Sequence, residues 1–79
     1  MTLVVLYFAG LRDLVGMAEE RISVSSNSTV DQVLSEIKKL HPQMRFEGVR
    51  CALNEEFVEL DHVAGDGDTL ALIPPVSGG

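Results

Sequence analysis

Two stretches of the chain are apolar almost without interruption: Leu3 to Phe8 (LVVLYF) and Thr69 to Ile73 (TLALI). Both are short and rich in β-branched, aliphatic or aromatic residues, which predicts strands rather than helices. Continuity rather than alternation predicts central strands, covered at least in part on both faces. Shorter alternating segments lie between them. In Glu20 to Ser25 (ERISVS), Ile22 and Val24 point one way while Arg21, Ser23 and Ser25 point the other, as in a half-buried strand. Val49 to Leu53 (VRCAL) places Val49, Cys51 and Leu53 on one side, and Phe57 to Leu60 (FVEL) returns after Asn54-Glu55-Glu56 to make a hairpin.

A different period appears after the polar loop Ser25-Ser26-Asn27-Ser28. Val30, Val33, Leu34, Ile37 and Leu40 fall on one face of a helix. Thr29 and Gln32 stand at capping-box spacing at its start. Lys38 and Lys39 suit its C-terminal dipole, and Pro42 closes it. Ala9-Gly10 breaks the first strand. Leu11, Leu14 and Val15 then share a face of a single helical turn stopped by Gly16. The order is β, short turn, β, helix, β, β, β. One amphipathic helix covers one face of one sheet, so the fold class is α+β: a mixed five-stranded sheet with one main helix. The two apolar strands form a central pair, parallel if adjacent because the helix supplies a crossover. The end of the last strand is expected at a sheet edge, with a tail projecting from it. The division is a body over 1–73 and an extended tail over 74–79.

At 79 residues the chain makes one domain of modest stability. No apolar run reaches the ~20 residues that span a bilayer, and no basic leader region opens the chain, so a cytoplasmic location is expected. The single cysteine, Cys51, excludes an intrachain disulfide and suits a reducing compartment. A net charge of −6, with six Lys and Arg that form no stripe, argues against nucleic acid and for a basic protein partner.

Candidate chemistry in the body is thin. Cys51 as a nucleophile or sulfur relay needs cationic, partly exposed surroundings, whereas its alternation with Val49 and Leu53 favours a packed thiol. His41 at the helix end and His62 after Asp61 lack a partner at ligand spacing. Asp66-Gly67-Asp68 begins like a calcium loop but does not continue as one, and reads better as a turn. Glu55, Glu56, Glu59 and Asp61 make an acidic, solvated or partner-facing hairpin.

The ending, Pro74-Pro75-Val76-Ser77-Gly78-Gly79, is different. By composition alone it is a frayed terminus of small residues. As a device it is a stiff proline stalk with an unhindered glycine tip, reaching roughly 20 Å when extended. Without a convincing site in the body, the group left for chemistry is the α-carboxylate of Gly79, which an ATP-derived adenylate made by another protein would activate.

The opening strand with Ala9 and Leu11 to Gly16, the Thr29–Leu40 helix, Asn54, Asp61-His62, Asp66-Gly67-Asp68 and above all the Pro-Pro-Val-Ser-Gly-Gly ending resemble the small subunits of molybdopterin synthase. These belong to the ubiquitin-like β-grasp sulfur carriers. The resemblance implies a β-grasp fold. It implies that a ubiquitin-activating-type enzyme, using ATP and Mg, adenylates Gly79, and that a sulfur-donating enzyme then yields a thiocarboxylate. The chain itself would bind no cofactor or metal. The tail (Ile73, Pro74, Pro75, Val76, Ser77 and Gly78) would insert into the large subunit, in a heterotetramer of two small and two large subunits. There Gly79 would give its sulfur to cyclic pyranopterin monophosphate, building the dithiolene of the molybdenum cofactor. The alternatives are a ubiquitin-like protein modifier, a carrier of the thiamine or tRNA type, and an interaction domain with an incidental Gly-Gly.

Overall fold

The computed structural model describes residues 1–75; the expectations for Val76, Ser77, Gly78 and Gly79 lie outside the described residues. The elements are β1 (Thr2–Tyr7), α1 (Ala9–Val15), β2 (Glu19–Ser23), α2 (Val30–Leu40), β3 (Arg50–Leu53), β4 (Glu56–Val58) and β5 (Thr69–Ile73). The strands form one sheet in the order β2-β1-β5-β3-β4. β1 and β5 are parallel, with Val5 opposite Leu70 and Tyr7 opposite Leu72. The other three pairings are antiparallel. This is the ubiquitin-like β-grasp.

The period of two along the strands decides what the sheet buries. Leu3, Val5 and Tyr7 of β1, Ile22 of β2, Cys51 and Leu53 of β3, and Leu70 and Leu72 of β5 face α2. They meet Val30, Val33, Leu34 and Ile37 of the helix. At about 25 cal/mol per Å² of apolar area, each buried aliphatic side chain contributes about 1.5–3 kcal/mol. The capping box forms as expected: Gln32 N–H donates to Thr29 Oγ1 (3.2 Å), and Thr29 N–H donates to Gln32 Oε1 (2.8 Å).

Three expectations need correction. Leu40 is not on the buried face but exposed, because the chain turns at His41 and brings Met44, fully buried, into the last position of the core. The short turn is a seven-residue helix that begins at Ala9; it buries Leu11 and leaves Leu14 exposed. The continuous apolar strands are covered in part on both faces, as expected, with α2 on one of them. On the other, Val4, Leu6, Ala71 and Ile73 are half-buried, shielded by their neighbours within the sheet. Finally, the last strand ends in the middle of the sheet rather than at its edge. The β3–β4 hairpin pairs with the side of β5 that β1 leaves free.

Candidate functional site

The end of β5 is where the chain leaves the sheet, and several elements converge there. Parallel pairing brings the C-terminal ends of β1 and β5 together, and antiparallel β3 begins at the same place, with Arg50 opposite Ile73. Ile73 and Pro74 are half-buried and Pro75 is exposed. The Pro75 ring lies on Gly48, in the loop before β3. Three of the expected tail residues are thus placed together at the exit of the central strand.

A polar network braces this end from within. Tyr7 Oη donates to Glu20 Oε1 (2.8 Å), and His41 Nε2 lies 2.8 Å from the same oxygen. The Tyr7 and His41 rings meet edge to face. One carboxylate thereby ties β1, β2 and the C-cap of α2 together, one residue before the exit. Burial first, and then the hydrogen bond to and charge of Glu20, push the Tyr7 hydroxyl well above its ordinary value, so it remains a donor at physiological pH. His41 is therefore a structural partner. The sequence carried a signal for this: Glu20 is in phase with Ile22 and Val24, so an ionisable group points inward there and needs a partner.

The opposite end of β5 is held more densely. Asn54 accepts from Thr69 N–H at its Oδ1 (3.0 Å) and donates from Nδ2 to Asp68 Oδ1 (2.9 Å). Gly65 N–H donates to Asp68 Oδ2 (2.7 Å), and Thr2 N–H donates to Asp66 Oδ1 (2.8 Å). The bonds from Asn54 and Gly65 hold the Asp68 carboxyl below its usual value, with burial opposing and His62 adding a smaller pull downward. Asp66-Gly67-Asp68 is thus a turn before a strand, as its sequence suggested. His62 serves through its backbone, its carbonyl accepting from Val30 N–H at the start of α2.

The remaining candidates do not assemble into a catalytic group. Cys51 is buried, and burial pushes its thiol up, which keeps it protonated and unreactive. It lies on the floor of a groove of about 660 Å³ between α2 and the β3–β4 hairpin, with Leu34, Phe46, Val49 and Val58. The ammonium of Lys38 on its rim is engaged by the carbonyl of Met44. Glu55, Glu56, Glu59 and Asp61 are exposed. Among the described residues, no three His, Cys, Asp or Glu side chains are grouped to hold a metal ion. No helix among them is long and apolar enough to cross a membrane.

One surface that the sequence reading missed is the sheet face turned away from α2. Leu6, Ala71, Ala52 and Phe57 stand side by side across four strands, with Ile73 in the next row. Phe57 is 56% exposed, and the Arg50 guanidinium stacks 3.8 Å from its ring centroid. An apolar, cation-capped face continuous with the exit of β5 suits a protein partner.

Residues 5–79 match the ThiS family. The chain belongs to that family. It is 35% identical to the molybdopterin synthase sulfur carrier subunit of Chlamydomonas reinhardtii over all of both chains. It is 38% identical to the human protein of the same name, covering 95% of this chain and 91% of that one. Among solved structures, SAMP1 of Haloferax volcanii superposes with a TM-score of 0.88 at 28% identity, covering both chains entirely. The fold also recurs in a complex of subunits 1 and 2 of the molybdopterin-converting factor of Helicobacter pylori (TM-score 0.72, 21% identity, both chains fully covered).

Proposed function

We propose that this chain is the sulfur-carrier subunit of a molybdopterin synthase, with Gly79 as the residue that carries the sulfur. The observation that carries the reading is the Pro-Pro…Gly-Gly ending on a ThiS-family body whose Tyr7–Glu20–His41 and Asn54–Asp68 groups are engaged with one another. The names of its relatives support the same assignment.

The chemistry follows from the carboxylate. An oxygen of the Gly79 carboxylate attacks the α-phosphorus of ATP, whose Mg-bound pyrophosphate leaves. The resulting acyl-adenylate is an anhydride with a good leaving group. A hydrosulfide-equivalent donor attacks the carbonyl carbon, the C–O bond to AMP breaks, and a proton is released, leaving a thiocarboxylate. A tip of two glycines gives both activating and receiving pockets access to that carbonyl. ATP and Mg belong to the activating enzyme, and the pocket for the pterin belongs to a large subunit. The open face with Ile73 and Phe57, and the stalk Pro74-Pro75, dock on that subunit. Val76, Ser77 and Gly78 thread into it, in an assembly of two small and two large subunits. Sulfur then passes to cyclic pyranopterin monophosphate, water restores the carboxylate, and two such turns complete a dithiolene.

Reconstitution tests this. The thiocarboxylated chain, mixed with a molybdopterin synthase large subunit and the cyclic pterin, is expected to give dithiolene product and return to the carboxylate. Failure to form product with a competent large subunit would count against the assignment. The likeness to SAMP1, the small archaeal modifier protein 1 of Haloferax volcanii, favours one second reading, isopeptide attachment of Gly79 to lysines. Lysine adducts in place of sulfur transfer would select it.

A further inference from the structure

We infer that Gly48 is a positioning residue: it seats the Pro75 ring and so fixes the direction in which the chain leaves the sheet. The inference rests on the sulfur-carrier reading for its consequence, but not for its geometry. The last residue pair between β3 and β5 is Arg50 with Ile73. Pro74 and Pro75 have no N–H, so neither can donate to a continued ladder. Past Ile73 the chain must be steered by packing.

Gly48 provides that packing. A Cβ built there would lie 3.2 Å from Pro75 Cγ, 3.4 Å from Cβ and 3.6 Å from Cδ. The ring therefore covers the face that a side chain would occupy. Gly16 and Gly67 also have positive φ, yet a Cβ at either would meet nothing within 4 Å, so they serve their turns alone. Gly48 combines a φ of +71 with a close neighbour, and that neighbour is the base of the tail. Its loop is closed by Val49 N–H donating to Phe46 O (3.0 Å), which makes the seat part of the body. Four residues follow Pro75 and span roughly 13 Å when extended, so a small tilt at the ring is magnified at Gly79. A displacement of about 1 Å at a reacting group costs up to about 10²-fold in rate.

The test uses Gly48→Asn, Pro75→Ala and the double variant. Asn tolerates positive φ far better than Ala, so it fills the seat with little backbone strain. Gly48→Asn is expected to keep the fold, to lose the NOE between residue 48 Hα and the Pro75 ring, and to change residual dipolar couplings beyond Ile73. Single-turnover sulfur transfer from the thiocarboxylated variant to the large subunit and pterin is expected to slow about tenfold or more. In the Pro75→Ala background, adding Gly48→Asn is expected to change the rate less than about twofold, because the clash needs the ring. Equal effects in both backgrounds, or unchanged couplings beyond Ile73, would overturn the seat. If the wild-type chain transferred no sulfur, the carrier reading would fail, and the couplings would still decide the geometry.

Discussion

The two ends of β5 are built in opposite ways. At its start, Asn54, Asp66 and Asp68 knot three chain segments with directional hydrogen bonds. At its finish come two prolines with no N–H and an apolar contact between a ring and a glycine. Directional bonds fix one geometry and cost free energy when broken, whereas a van der Waals seat guides the chain without gripping it. A carrier needs both. The body must keep its shape through repeated docking, and the tail must be released into another protein's pocket. In the proposed carrier, chemistry and stability fall on different residues, which makes the contrast open to attack from either side.

The largest expected effect comes from the finish. Deleting Gly79 is expected to reduce sulfur transfer by roughly 10³-fold or more, since it shifts the reacting carboxylate by one residue. The thermal midpoint is expected to stay within error. Unfolding on deletion would show that tail and body are not separate. Next is Ile73→Asp, which puts a charge on the apolar face at the exit. Calorimetric affinity for the large subunit is expected to fall on the order of tenfold to a hundredfold. Unaltered affinity would remove the open face from the interface.

The start of β5 behaves inversely. Asn54→Ala removes two side-chain bonds and places alanine at φ 51. About 1–2 kcal/mol of stability is expected to be lost in urea titrations, with sulfur transfer by the folded protein unchanged. A loss of transfer without a loss of stability would reverse the comparison. Nearby, the two-residue loop between β3 and β4 is Asn54-Glu55, both at positive φ, and Glu55 at φ 72 is the strained member. Glu55→Gly is expected to stabilise by about 1 kcal/mol, because this hairpin turn favours glycine at its second position.

The smallest effect is in pH. The Asp68 carboxyl sits below its unfolded value, so its contribution is full above the ordinary aspartate range and is lost as pH falls through the folded value. Acid unfolding curves of wild type and Asp68→Asn are therefore expected to converge at low pH and separate as pH rises. Parallel curves at all pH values would mean that Asp68 contributes nothing through its charge.

Much of the body was legible in the sequence because period and capping are local. The Thr29–Gln32 box, the core face from Val30 to Ile37 and the inward Cys51 follow from spacing, and the parallel pairing of first and last strands from their apolar continuity and the helical crossover between them. What was not legible depended on long-range partners. Met44 sits in a polar, irregular stretch, and only the turn at His41 brings it into the core in place of Leu40. The middle position of β5 depends on which of its sides the β3–β4 hairpin chooses. The Phe57–Arg50 stack and the Gly48–Pro75 contact join residues whose neighbourhood no local pattern encodes. Of the expected site, Ile73, Pro74 and Pro75 fall together at the exit.

The most direct measurement is the intact mass of the chain after incubation with ATP, Mg, a cognate activating enzyme and a sulfur donor. One oxygen is expected to be exchanged for one sulfur, located at Gly79 by fragmentation and retained in a Cys51→Ala variant. An unaltered mass with competent enzymes, or sulfur located on Cys51 instead, would contradict it.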